Sequence, residues 1–129
     1  IEIIFFNILD NIILNSDKEQ LSRVFFNLIK NSIESIHQSI EKNNNKNKKI
    51  TIELINYDNY IKLIIIDSGI GFNDFKSNIK DILNPYFTTK KNGTGLGLSI
   101  VNKIINDHNG KIEFIKIETG AKIEITFIK

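Results

Sequence analysis

Two hydrophobic periods divide the chain. From Ser16 to Ile40 the positions Leu21, Val24, Phe25, Leu28, Ser32 and Ile36 recur at spacings of three and four. That spacing predicts the inner side of a long amphipathic helix. Gln20, Arg23, Asn27, Asn31, Glu34 and Gln38 recur on another side, and Ser16 or Asp17 can cap the start, with Glu19 and Gln20 close behind. Elsewhere the period is two. Ile50 to Ile55 and Ile61 to Ile66 predict paired strands around an Asp58-Asn59 turn, the second (IKLIII) apolar enough for burial on both faces. Leu98 to Asp107 returns to helical spacing through Val101, Ile104 and Ile105, and Asn109-Gly110 stops it. Ile112 to Glu118 and Ala121 to Ile128 predict a closing hairpin through Thr119-Gly120, and Ile1 to Asn15 predicts one or two short strands. The order β(β)–α–β–β–long loop–α–β–β gives a two-layer α/β sandwich. Its sheet is mixed and mainly antiparallel, with the helices on one face.

Composition narrows the chemistry. At 129 residues the chain fits one domain, 1–129. It has no cysteine, so disulfides, thiolate metal sites and cysteine nucleophiles are excluded, and two histidines cannot build a histidine-rich cage. No apolar run approaches the ~20 residues that span a bilayer, and no secretory signal is visible. The opening residue is Ile1, as expected of a piece of a longer protein. A net charge of +2 is too small an excess to argue for nucleic acid. The densest polar run, KNNNKNKK from Lys42 to Lys49, has no interleaved aromatics and reads as a solvated loop.

Four constellations could carry chemistry. Asn27 and Asn31 lie one helical turn apart on one face, and neutral amide oxygens suit Mg²⁺. DSGIGF, from Asp67 to Phe72, directly follows the apolar strand. An Asp there can accept from an exocyclic amine, and the glycines let backbone approach a flat ring. NPYFTTKK, from Asn84 to Lys91, joins a rigid proline and an aromatic pair to two cations. NGTGLGLS, from Asn92 to Ser99, leads into a helix, where successive backbone amides favour phosphate. It lacks the GK[ST] of a P-loop, and its spacing is not that of a dinucleotide fingerprint. Gly69 to Gly97 holds five of the seven glycines and the single proline, and so long an irregular stretch marks function.

In this order and spacing the motifs NLIKNSIES, DSGIGF, PYFTTK and GTGLGL make the chain resemble the catalytic, ATP-binding domain of bacterial sensor histidine kinases. The wording PYFTTK…GTGLGLSIV is most similar to nitrogen-regulation sensors of the NtrB/NtrY kind. The resemblance covers essentially the whole chain and implies the Bergerat (GHKL) fold of gyrase, Hsp90 and MutL ATPases. By the same resemblance, Asn31 coordinates the Mg²⁺ that bridges the ATP phosphates, beside Asn27. Asp67 accepts from the adenine amino group, with Gly69 and Gly71 shaping that wall. Gly93, Thr94, Gly95, Leu96, Gly97 and Leu98 supply phosphate-binding backbone. Ile70 to Gly95 forms a lid anchored by Phe87, with Thr89 beside it and Lys90 as its phosphate cation, so that Asn31 and Lys90 carry the transfer. The implied partners are an acceptor-histidine dimerisation domain, outside this chain and homodimeric in the full protein, and a response regulator. The implied setting is a cytoplasmic domain of a protein anchored in the bacterial inner membrane, without direct membrane contact of its own. Without the acceptor domain, the chain is expected not to autophosphorylate.

Two departures stand out. Related ATPases carry a water-activating Glu where this chain has Asn27, and a kinase needs that absence. Many sensor kinases carry a Lys three residues after the metal Asn, where this chain has Glu34, which shifts weight onto Lys90, Lys91 and the metal. Two other readings compete. One is a protein-serine kinase of the anti-sigma-factor type, which looks different at Asn27 and in the second glycine box. The other is a non-catalytic nucleotide-binding module, which the intact motifs disfavour. Of the histidines, His37 reads as a surface residue and His108 as a helix-end residue whose cationic form would suit the dipole.

Overall fold

The computed structural model describes residues 1–6, 14, 16–43, 47–71 and 97–129. These form β1 (Glu2–Phe6), α1 (Lys18–Asn43), β2 (Lys49–Asn56), β3 (Tyr60–Asp67), α2 (Gly97–Asp107), β4 (Gly110–Lys116) and β5 (Ala121–Ile128). The strands make one five-stranded sheet in the order β1-β2-β3-β5-β4. β1 runs parallel to β2, and every other pairing is antiparallel. The helices cover one face of this sheet, as the element order predicts.

Local chemistry sets the boundaries. Asp17 is the residue that caps α1: its Oδ1 accepts from Gln20 N at 3.1 Å, and its carbonyl accepts from Leu21 N at 3.0 Å. The helix runs three residues past Ile40, into the polar run. Tyr57 and Tyr60 stack at 4.5 Å across the β2–β3 turn. Asn109 takes the left-handed conformation, φ 56°, that ends α2, a position where asparagine is tolerated in place of the usual glycine. β4 begins and ends two residues earlier than the periodicity predicts.

The core lies between the helices and the covered face. Ile61, Leu63, Ile65 and Asp67 of β3 alternate in burial with Ile64 and Ile66, and Ile123, Ile125 and Phe127 of β5 continue the same layer. Val24, Leu28 and Ile36 of α1 close over it with Val101, Ile104 and Ile105 of α2. Two expectations need correction. IKLIII is buried on one face only; the other is half-buried, and next to it Lys62 and Lys122 pair with Glu124 of β5. Phe25 is 41% exposed, because it sits about 100° around the helix from Val24, which takes the inner position.

Candidate functional site

The end of β3 is where sequence chemistry and structure meet. Asp67 occupies the last inward position of the strand and is 5% exposed. Its Oδ1 accepts from Gly69 N at 2.9 Å. Burial pushes the Asp67 carboxyl above its ordinary 3.8, while the N–H groups of Gly69 and Ala121 and the nearby Ser32 hydroxyl oppose that rise. The Ser32 hydroxyl is buried and lies near Asp67 without completing a hydrogen bond of standard geometry. Asp67 is thus a carboxylate held out of water by the strand and kept polar by the turn that follows it.

That turn is fixed from three sides. Ser68 accepts from Lys49 N and donates to the Asn47 carbonyl, each at 2.9 Å, which ties the turn to the start of β2. Ile70 N–H reaches Ser35 Oγ at 3.0 Å and the Ser35 carbonyl at 3.3 Å, which ties it to α1. Gly71, at φ +69°, lies against Gly120, at φ +90°, in the β4–β5 turn, and Gly120 itself abuts the Asp67 carbonyl. Both conformations strongly favour glycine. The Thr119-Gly120 turn therefore backs the wall that the resemblance assigns to adenine.

Gly69 needs its missing side chain for another reason. A Cβ there would stand 2.6 Å from the Ser35 carbonyl carbon, which belongs to the helix backbone and cannot rotate away. Gly69→Ala should therefore push the turn off α1 and lower the unfolding midpoint by an amount equivalent to about 1–3 kcal/mol. Thermal unfolding and amide exchange at Ile70 check this, and an unchanged midpoint would contradict the contact.

On α1, Asn27, Asn31 and Ser35 stand at successive four-residue steps, on one face beside the inner one. Asn27 Nδ2 donates to the Arg23 carbonyl at 3.0 Å, which leaves Oδ1 as the outward group of its amide. That oxygen looks at the first residue of α2, where a Cβ on Gly97 would lie 3.5 Å away. The structure so brings Asn27, Asn31, Asp67, Gly69, Gly71, Gly97 and Leu98 onto three neighbouring elements: α1, the β3 end and the α2 start. Phe87, Thr89, Lys90, Gly93, Thr94, Gly95 and Leu96, with most of the expected lid, lie outside the described residues. Ser35 and Ser68 were missed by sequence reasoning. The four-residue step from Asn31 to Ser35 was the available signal for the first, whereas Ser68 looks like any turn serine.

His37 is exposed, as expected. His108 departs from expectation. Asp17 N–H donates to its Nε2 at 2.9 Å, and Nδ1 faces the Ile104 carbonyl at 2.7 Å. An accepting Nε2 requires the neutral ring, with the proton on Nδ1. The ring therefore acts as a neutral hydrogen-bonding link, in place of a cation at the helix end.

Residues 16–129 match the family described as "Histidine kinase-, DNA gyrase B-, and HSP90-like ATPase". The chain belongs to that family. It is 35% identical over 112 residues to sporulation kinase C of Bacillus subtilis, covering 87% of this chain and 23% of that protein. It is 36% identical over 112 residues to a putative sensor histidine kinase, NtrY-like, of Rickettsia felis, covering 86% and 17%. It is 38% identical over 106 residues to the sensory histidine kinase/phosphatase NtrB of Azospirillum brasilense, covering 76% and 26%. The chain spans about a quarter or less of the length of these curated relatives. Among solved structures, the nucleotide-free catalytic domain of histidine kinase ThkA matches with a TM-score of 0.80 at 30% identity, covering 99% of this chain and 78% of that one. ThkA in complex with response regulator protein TrrA matches at 0.75 and 26%, covering 99% and 34%. The chain corresponds to the ATP-binding catalytic domain of two-component histidine kinases, and its fold is theirs.

The raised Asp67 pKa has a consequence for stability. Ionising this carboxyl is harder in the folded chain than in the unfolded one, so the penalty is absent below 3.8 and grows as pH rises from there through the folded-state value. Relative to Asp67→Asn, which cannot ionise, the wild type should lose stability as pH rises through that window and hold level above it. Unfolding midpoints of the two proteins, measured in parallel against pH, check the sign. A constant difference would mean that the pKa is not raised.

Proposed function

We propose that this chain, as one domain, binds ATP with Mg²⁺ and presents the γ-phosphate to a histidine on a separate dimerisation domain. The observation that carries the reading is the buried Asp67 at the β3 end, whose turn is pinned by Ser35 to the helix that bears Asn27 and Asn31. Asp67 Oδ2 accepts from the adenine amino group, because Oδ1 is already taken by Gly69 N–H. Gly69 and Gly71 keep the ring wall flat. Asn31 offers a neutral oxygen to Mg²⁺, a hard cation that keeps several waters and takes few protein ligands; Asn27 Oδ1 faces the same gap towards Gly97. The metal supplies charge neutralisation on the phosphates. The first amides of α2, at Gly97 and Leu98, have no acceptor within the helix and suit phosphate oxygens.

On the motifs outside the described residues, Phe87, Thr89, Lys90, Gly93, Thr94, Gly95 and Leu96 complete the phosphate side, with Lys90 as the cation. Transfer through a loose phosphoryl transition state asks a protein mainly for positioning and charge stabilisation. Asn27 cannot act as a base towards water, which favours transfer over hydrolysis. The reading extends to a homodimer built through the dimerisation domain, to a response regulator as receiver, and to a cytoplasmic placement beneath an inner-membrane anchor. Among the described residues no helix is long and apolar enough to cross a membrane. The nitrogen-regulation type belongs to this proposal on the wording of PYFTTK and GTGLGLSIV. A sporulation kinase matches at similar identity, so that part is a reading of the motifs rather than of overall similarity.

Calorimetry of the chain with a non-hydrolysable ATP analogue, in Mg²⁺ and in a chelator, tests the binding. Radiolabel transfer from ATP to an acceptor-histidine dimerisation domain supplied in trans tests the chemistry. Saturable, Mg²⁺-dependent binding is expected; its absence ends the proposal. Binding without transfer to any acceptor leaves a nucleotide-binding module.

A further inference from the structure

The two helices that bear the site meet at both ends of the shorter one, α2. Asp17, at the start of α1, is tied to His108, at the end of α2. Ten residues further along α1, Asn27 faces Gly97, the first residue of α2. At 1.5 Å per residue the two spans are about 15 Å on α1 and about 16.5 Å on α2, which is the match an antiparallel pair requires. One end of the pair is the candidate phosphate site, and the other end is the His108 ring.

The ring is well placed to fix the pair lengthwise. Nδ1–H bonds the carbonyl of Ile104, four residues earlier in its own chain, so the imidazole is oriented by the last turn of α2. His108 N–H also shares the carbonyls of Ile104 and Ile105, at 3.2 and 3.1 Å, which holds the backbone that carries the ring. Nε2 then accepts Asp17 N–H, an amide just ahead of α1, while the Asp17 side chain and carbonyl cap that helix. Val24 and Leu28 of α1 share the buried core with Val101 and Ile105 of α2; apolar burial is non-directional and by itself tolerates sliding. A directional bond between two backbone-anchored groups does not.

Resting on the ATP-binding reading above, we propose that His108 is a positioning residue. Its neutral Nδ1–H ring sets the axial register of α2 against α1, and with it the distance from the α2 amides to Asn27 and Asn31. It touches no ligand; it acts through the helices.

Substitutions separate this role from general packing. In His108→Gln the side-chain oxygen falls near the position of Nε2, so the acceptor for Asp17 N–H is kept. In His108→Asn the side chain is too short to reach it. The chain and both variants are titrated with a non-hydrolysable ATP analogue and Mg²⁺, and the wild-type ring is read by long-range proton–nitrogen NMR. The Nδ1–H tautomer is expected in the wild type. His108→Asn should bind the analogue about tenfold more weakly, and His108→Gln should stay within about twofold of the wild type. A His108→Asn protein as tight as the wild type, two variants weakened equally, or an Nε2–H ring would each overturn the proposal. Where His108→Asn does not unfold cooperatively, the tautomer and the His108→Gln affinity decide by the same criteria. A wild type that binds no adenine nucleotide removes the ATP-binding reading and this role with it; a wild type that binds normally beside an indifferent His108→Asn removes this role alone.

Discussion

Asp67→Asn should cost the chain most of its preference for ATP over GTP. Asp67 is buried, and its environment is built for an acceptor: Gly69 and Ala121 both direct N–H groups at it. An Asn side chain has one acceptor oxygen in place of two. If that oxygen takes Gly69 N–H, the amide NH₂ confronts the adenine amino group, donor against donor. If the amide turns over, the NH₂ confronts Gly69. Either way a buried donor is left unpaired, at about 1–3 kcal/mol, or roughly 5- to 150-fold in ATP affinity. Guanine presents a carbonyl where adenine presents its amine, so the Asn variant should lose less with GTP, or gain. Competition calorimetry of ATP and GTP on both proteins measures the ratio. An unchanged ratio would remove adenine from the β3 end.

Much of this architecture is legible in the sequence because periodicity reports burial. Val24, Leu28 and Ile36 mark the inner face of α1, and Ile123, Ile125 and Phe127 mark that of β5, through spacing alone. The parallel pairing of β1 with β2 is not legible. Five residues, exposed at four positions, carry no pattern that names their partner, and the pairing comes from chain geometry. Phe25 misleads because a helix of 3.6 residues per turn allows two neighbouring apolar residues to claim the inner stripe, and only packing decides between them. His108 misleads for a different reason. A histidine at a helix end invites a charge–dipole argument, whereas its role here depends on an amide at the opposite end of another helix, 91 residues away in sequence. At the site, Asp67 and the glycines are readable because their chemistry is local. Ser35 is readable only as the next four-residue step after Asn31; its bond from Ile70 N–H and its close approach to Gly69 join distant segments and leave no mark on either one alone.

Asn31→Ala carries the other large expectation. Asn31 is half-buried at the centre of the Asn27, Asn31, Ser35 ladder, where alanine is the better helix former, so the variant should fold. Removing its amide oxygen takes away the neutral ligand assigned to Mg²⁺ and leaves the metal to phosphate and water. Metal affinity in the nucleotide complex should fall about tenfold, since one ligand of several is lost. Transfer should fall further, by about 10²–10³, because a group that stabilises charge developing on the phosphoryl oxygens matters more in the transition state than in the ground state. The two effects separate experimentally. Titrating Mg²⁺ at saturating ATP analogue reads the first, and single-turnover transfer to an acceptor domain at saturating Mg²⁺ reads the second. A variant whose Mg²⁺ dependence and single-turnover rate both equal those of the wild type would take the metal off α1. It would leave the reading resting on Asp67 and the buried turn that follows it at the β3 end.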